Sequence, residues 1–299
     1  MVVDVAPEVT RTLSDEQRRE FEDRGYLTIR RALTPAQVGR YLELHERIYQ
    51  EERAAGELAP AGGSSNRGGA MHAFAFVLRD PAYLELLDLA TTFPLVWGIL
   101  GWNIYMYHCH IDQHPPLPAP LSPVWAWHQD GGRQNLEVET EPTRPRLSVK
   151  LAYFLSDLSE PGRGNMLVLP GSHRRNRLPR PDGPDVGLHV PEGTIPVCVE
   201  PGSAILFDRR LWHSRSDNLS GITRRAFFLA YTYRWIRPRD DYEIAWDREP
   251  FASLSPVRQQ LLGRGADPAS HWGLGHEPNP PREWLRERGL VDRTEAALL

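Results

Sequence analysis

The feature that most restricts the fold is the stretch Ser122-Pro-Val-Trp-Ala-Trp-His-Gln-Asp-Gly-Gly-Arg-Gln-Asn135, and within it the pair His128 and Asp130. In a strand, residues i and i+2 project from one face, so this spacing aims an imidazole and a carboxylate at the same point in front of a sheet. Two donors are two-thirds of a metal site. The third has to arrive from a different strand, and the candidate is His213, in Gly202-Ser-Ala-Ile-Leu-Phe-Asp-Arg-Arg-Leu-Trp-His213. Enough chain separates His213 from His128 for several strands to intervene.

Two imidazoles and one carboxylate on one face of an octahedron form the facial triad of non-haem Fe(II) oxygenases. Arg224 follows His213 where the chain re-enters an apolar strand, Ala226-Phe-Phe-Leu-Ala-Tyr-Thr-Tyr233. A guanidinium fork aimed into an apolar cavity suits bidentate capture of a carboxylate, and a metal-chelating 2-oxo acid with a far carboxylate fits such a site.

The ordered series His128-Gln-Asp130, Leu167-Val-Leu-Pro-Gly-Ser-His173, Pro201-Gly-Ser-Ala-Ile-Leu-Phe207, His213 and Arg224, opened by Leu13-Ser-Asp-Glu-Gln-Arg-Arg-Glu-Phe-Glu-Asp-Arg-Gly-Tyr26, resembles the phytanoyl-CoA dioxygenase family of Fe(II)/2-oxoglutarate-dependent oxygenases. The likeness covers most of residues 13–236. It implies a mainly β chain with flanking helices around a double-stranded β-helix core, the jelly roll of cupin-like proteins. It also implies Fe(II) held by the catalytic set His128, Asp130 and His213, with Arg224 pairing with the C5 carboxylate of 2-oxoglutarate and O2 as the other cosubstrate. The expected reaction is hydroxylation of an unactivated C–H of a small molecule with release of succinate and CO2; desaturation or ring formation are its alternatives. Halogenating relatives replace the carboxylate ligand by a small residue, a position that Asp130 fills here. In relatives the corner Pro170-Gly-Ser-His173 is structural. Many carry a lysine where this chain has His114, and Arg215 interrupts the small-residue run that often follows the second histidine. Two readings from other classes remain: a zinc hydrolase, which would have no need of Arg224, and a non-catalytic jelly-roll binding protein.

At 299 residues, with no Gly/Ser linker dividing the core, the chain reads as a single oxygenase domain over 1–299. Its expected parts are a mainly helical 1–100, the jelly-roll core at 101–237 and a C-terminal helical extension at 238–299. A net charge of −4 and the lack of any basic run argue against a nucleic-acid partner and for a small-molecule substrate. No apolar run reaches the roughly 18 residues of a membrane span, and the first residues lack the pattern of a secretory signal, so a cytoplasmic protein is expected. Cys109 and Cys198 form no disulfide framework and read as ordinary buried thiols.

Lys150 is the one lysine among 35 basic residues, an arginine bias that points to GC-rich coding, as in many soil bacteria; a bacterial-looking, acidic chain without a targeting signal suits secondary metabolism. It sits in the alternating strand Arg146-Leu-Ser-Val-Lys-Leu-Ala-Tyr-Phe-Leu155. The expectation is that it enters the cavity and contacts an anionic group of cosubstrate or substrate. The alternative is a solvated lysine with a snorkelling stem.

Ser14 caps a first helix that Gly25 ends, a short strand follows to Arg30, and Thr34 with Pro35 opens a second helix. The Gly-, Ala- and Ser-rich residues 54–71 are expected to be a mobile loop, either folding over the substrate or simply connecting. Helices are expected near Pro81–Leu89, Pro94–Leu100, Pro256–Leu262 and Pro281–Arg288. The region beyond Arg237 is a candidate for capping the barrel or for self-association into a homodimer.

Gly101–Pro115 alternates with period two, and one face carries Met106, His108, His110, Asp112 and His114. So many titratable groups on one strand face imply a wet cavity, with His108 assigned to the cosubstrate and His110 to the substrate. His110 and Asp112 form a rival His-x-Asp pair, ranked second because the Trp and Gly-Gly context is missing. Trp127, Arg133 and Asn135 are candidate substrate contacts, and Ser214 a cosubstrate contact. The acidic 136–145 segment is expected at the entrance. Arg225 should point away from Arg224, since strand neighbours take opposite faces.

Overall fold

A computed structural model of the chain describes residues 13–59, 68–120, 127–131, 145–178, 190–264 and 280–289. Arg133, Asn135, the 136–144 segment and residues 60–67 of the Gly-rich stretch lie outside the described residues.

The chain enters through two helices whose ends are written in the sequence. In α1 (Asp15–Arg24), the Ser14 hydroxyl accepts the Gln17 N–H while the Gln17 side chain accepts the Ser14 N–H, and Gly25 closes the helix at φ 83°. A side chain at Gly25 would place Cβ 2.5 Å from His173 Nδ1, so this turn needs glycine both for its dihedral and for the close approach. After β1 (Tyr26–Ile29), Thr34 and Gln37 repeat the capping box for α2 (Pro35–Ala55), with Pro35 in the first turn.

The remaining strands are β2 (Met71–Phe74), β3 (Ile104–His114), β4 (Ser148–Phe154), β5 (Met166–Val168), β6 (Ile195–Pro196), β7 (Ala204–Asp208), β8 (His213–Arg215) and β9 (Arg224–Tyr233). They form a six-stranded sheet in the order β1-β7-β4-β9-β3-β2 and a three-stranded sheet in the order β6-β5-β8. Every strand pairing among the described residues is antiparallel. The architecture is the mainly β jelly roll expected from the sequence, with helices packed on the outer face of the large sheet.

Strand β9 sits between β3 and β4, and its alternation separates two apolar layers. Phe227, Leu229 and Tyr231 join the helix-side core, whereas Ala226 and Phe228 belong to the layer between the sheets. Phe227 makes ring contacts with Tyr41, Phe76, Tyr83 and Tyr153, tying α2 and the 3-10 helix Pro81–Asp88 to the sheet. Burying aromatic side chains of this size stabilises the fold by about 1.5–3 kcal/mol each. Arg225 points to this outer side, its Nε donating to Gln113 and a terminal nitrogen to Glu46 at 2.9 Å each.

Two local expectations change. The register of β3 against β9 shifts between Met106 and His108, so an extra residue bulges at Tyr107. The bulge reverses the facing of what precedes it: Met106 packs in the helix-side core, while His108, His110, Asp112 and His114 face the interior cavity. Cys109 is buried as expected, but Cys198 is exposed, because it lies on the short edge connection after β6.

Helix α3 (Phe93–Leu100) and the 3-10 helix before it pack against the sheet; Tyr231 Oη donates to the Leu87 carbonyl and Thr92 bonds Tyr153 Oη at 2.6 Å. Two short helices, α4 (Pro256–Leu261) and α5 (Pro280–Glu287), stand where Pro-led starts predict them. Among the described residues no single helix is long and apolar enough to cross a membrane.

Candidate metal centre and its cavity

His128 reaches the site through two backbone bonds. Its N–H donates to the His213 carbonyl at 3.1 Å, and the His213 N–H returns the bond at 3.0 Å. Directly opposed residues of an antiparallel pair present side chains on one face, so this bridge joins two histidines far apart in sequence, with ring centroids 4.3 Å apart. Asp130 is pinned two residues on: its N–H donates to the Arg209 carbonyl at 2.8 Å, and Arg209 donates to the Asp130 carbonyl at 3.0 Å. Gln129, between them, turns away and donates to the Arg175 and Arg210 carbonyls. One ligand atom from each of His128, Asp130 and His213 lies within 4.8 Å of the others.

The protonation pattern suits a cation. His213 Nδ1 donates to the Leu211 carbonyl at 2.8 Å, which leaves Nε2 with the lone pair that a metal requires. Burial, reinforced by His128, pushes the His213 imidazole down to about 3, so the ring is neutral near pH 7. Burial opposes ionisation of Asp130, yet the Lys150 ammonium holds its carboxyl well below the usual range. Lys150 Nζ lies 2.7 Å from Asp130 Oδ2. Thus Lys150 enters the cavity, and the anion it meets there is the aspartate of the triad. The donor set, two imidazoles and a carboxylate, fits Fe(II).

These groups line a cavity of about 510 Å³ together with Met166, Phe207 and Phe228. Arg224 lies on its wall, 2% exposed, its guanidinium 5.7 Å from the Phe154 ring and 6.0 Å from the Phe228 ring. Its Nη1 is 3.8 Å from Asp112 Oδ2. Gly164 gives it room: a Cβ there would come 2.8 Å from Arg224 Cδ. Ser214 lines the same cavity.

The titratable face of β3, next to β9, lines the cavity as well. His108 and His110 both line the cavity, with His108 Nδ1 2.8 Å from Asp240 Oδ1 and His110 Nδ1 3.1 Å from His108 Nε2. Trp127 is buried and is not among the lining residues. His173 lies away from the cavity and bonds the Glu22 carbonyl at 3.0 Å, holding the corner after β5 against α1.

Sequence reasoning missed His72 and Asp240. His72 sits directly across β2–β3 from Asp112, its Nδ1 2.5 Å from Asp112 Oδ1. Only the cross-strand register brings these residues together, and no local pattern carries that information.

A family model for phytanoyl-CoA dioxygenase (PhyH) matches residues 21–226. A dioxygenase (andF) of Emericella variicolor is 27% identical over 136 residues, covering 46% of this chain and 45% of that protein. The chain therefore spans under half the length of this fungal relative. An ectoine dioxygenase of Nocardia farcinica is 23% identical over 251 residues, covering 75% of this chain and 80% of that protein. Among solved structures, apo EctD from S. alaskensis superposes with a TM-score of 0.60 at 20% identity, covering 82% of this chain and 83% of that one. The 2-oxoglutarate-dependent carbocyclase SnoK from nogalamycin biosynthesis gives 0.56 at 22% identity, covering 82% and 92%. The chain belongs to the phytanoyl-CoA dioxygenase family of Fe(II)/2-oxoglutarate-dependent oxygenases.

Proposed function

We propose that this chain is a single-domain hydroxylase that binds Fe(II) through His128, Asp130 and His213 and uses 2-oxoglutarate and O2 to hydroxylate an unactivated C–H of a small molecule. The observation that carries the reading is the convergence of these three donors within 4.8 Å in a cavity whose wall also holds Arg224. The secondary-metabolic role draws support from the fold shared with a carbocyclase of nogalamycin biosynthesis.

When bound, the iron and its 2-oxo acid supply the oxidising power, with succinate and CO2 as the cosubstrate's products. The chain's own residues position and shield. Arg224, nearly devoid of water contact and flanked by Phe154 and Phe228, offers a two-pronged donor to the far carboxylate, where a charge-assisted pair is strong because competing solvent is excluded. Arg224 and the triad line one cavity, so a cosubstrate held at both ends would have a fixed direction. Lys150 keeps Asp130 ionised and turned toward the two imidazoles before metal arrives. Phe207, Phe228 and Met166 add apolar surface to the cavity, which favours exclusion of water once substrate is bound.

The test is a screen of small acids, amino acids and terpenoids for stimulated succinate release with Fe(II), 2-oxoglutarate and O2. A compound that stimulates release with the wild type and not with Asp130→Ala is the expected result. Equal release from both proteins would refute the assignment.

A further inference from the structure

A second group of donors faces the same cavity and shares no residue with the first. One ligand atom from each of His72, His110 and Asp112 lies within 4.8 Å of the others. The fold builds the group from register: His72 and Asp112 are opposed across β2 and β3, and His110 precedes Asp112 by two residues on the same face.

Hydrogen bonding fixes which atoms carry lone pairs. Asp240 accepts the Cys109 N–H at 2.7 Å and the Tyr242 hydroxyl at 2.9 Å, so it stands as an acceptor toward His108 Nδ1. His108 therefore donates through Nδ1, and its Nε2 is the acceptor for His110 Nδ1 at 3.1 Å. That leaves His110 Nε2 as a bare acceptor. The chain from carboxylate to imidazole to imidazole does for His110 what the Leu211 carbonyl does for His213, holding one tautomer so that the other nitrogen can ligate. Asp112 is likewise divided: Oδ2 is 3.8 Å from both His114 Nε2 and Arg224 Nη1, while Oδ1 is the oxygen turned to His72. In the metal-free chain His72 Nδ1 donates to Asp112 Oδ1, and a divalent ion bound between the two side chains would displace that proton.

We propose that His72, His110 and Asp112 form a second divalent-metal site, taking a first-row ion of the Zn(II), Fe(II) or Co(II) kind, in the cavity that His128, Asp130 and His213 also line. Two nitrogens and one carboxylate suit these borderline ions and disfavour Ca(II) and Mg(II), which take oxygen ligands. Three protein donors leave further coordination positions for water or for a donor atom of a bound small molecule. The inference stands apart from the iron assignment, because it uses other residues.

The experiment is equilibrium dialysis of the full chain, stripped with chelator, against Co(II), with bound metal measured by atomic spectroscopy and the Co(II) absorption bands recorded. Wild type is expected to bind two ions per chain. His72→Ala, at a half-exposed side chain that the fold does not need, is expected to retain one and to weaken the other about 100-fold or more, beyond what loss of an outer-sphere partner costs. Asp112→Asn, close in shape, is read in parallel and should lose the same ion. Asp130→Ala should lose the other one, so failure of either site is seen separately. The proposal is overturned if His72→Ala and Asp112→Asn bind as many Co(II) ions as wild type with unchanged affinity, or if wild type binds one ion that only Asp130→Ala removes.

Discussion

Replacing Lys150 by methionine keeps the stem and removes the ammonium 2.7 Å from Asp130 Oδ2. The Asp130 and Lys150 side chains are 18% and 9% exposed, so the pair is largely but not wholly withdrawn from water. Removing one partner of a buried ion pair costs about 3–5 kcal/mol, and the residual access of water to Asp130 puts this case at the lower end, about 3 kcal/mol. At roughly 2 °C per kcal/mol for a chain of this size, Tm of the metal-free protein should fall by about 6 °C. The pH dependence follows from the sign of the shift. The folded carboxyl of Asp130 is held below its unfolded value, so the stabilisation is complete above about pH 4 and is lost as the pH falls through the folded value. The gap between wild type and Lys150→Met should therefore be full at pH 7 and narrow in acid. A divalent ion on Asp130 supplies the missing positive charge, so saturating Co(II) should also narrow it. Thermal unfolding followed by circular dichroism, with and without Co(II), reads all three effects. Equal melting of the two metal-free proteins, or a gap indifferent to both metal and acid, would refute the reasoning.

Arg224→Met should weaken 2-oxoglutarate binding by about 100-fold, from the loss of two charge-assisted hydrogen bonds of at least about 1.5 kcal/mol each, as measured by cosubstrate titration of the Fe(II) protein. Gly164→Ala, at φ 74° and with its Cβ 2.8 Å from Arg224 Cδ, should cost about 1–2 kcal/mol in stability and also raise the 2-oxoglutarate concentration needed for half-saturation. Asp208→Asn should destabilise by about 3–5 kcal/mol in denaturant unfolding, because fully buried Asp208 takes Arg146 Nε and Arg210 Nε at 2.8 Å each. Burial works against this carboxylate, but Arg210 and Arg146 hold it down to about 2, so its stabilisation is present above pH 4 and is lost as pH falls through about 2.

What the sequence discloses is what local rules encode. Ser14 with Gln17 and Thr34 with Gln37 announce two helix starts, Gly25 announces a stop, and Pro256 and Pro280 open the last helices, because capping needs only neighbouring residues. His128 and Asp130 stand out for the same reason, their spacing being a property of one strand. Strand neighbours face opposite ways, so one of Arg224 and Arg225 enters the cavity; the family resemblance selects Arg224, and Arg225 meets Gln113 and Glu46 outside. What pairing decides was not legible. The bulge at Tyr107 moves Met106 off the cavity face, the register of β2 sets His72 against Asp112, and Asp240 closes on His108 from beyond the last strand. For the same reason Lys150, expected to contact an anionic group of cosubstrate or substrate, contacts Asp130 instead: Asp130 comes within reach only where the connection after β7 holds it.

The central claim rests on His128, Asp130 and His213 gripping iron beside Arg224, and anaerobic titration of the stripped protein with Fe(II) and then 2-oxoglutarate tests it most directly. A weak visible charge-transfer band that grows with 2-oxoglutarate, and that Asp130→Ala and Arg224→Met abolish or shift to much higher cosubstrate concentration, is the expected result. A wild-type protein that binds iron yet develops no band at saturating 2-oxoglutarate would contradict the account.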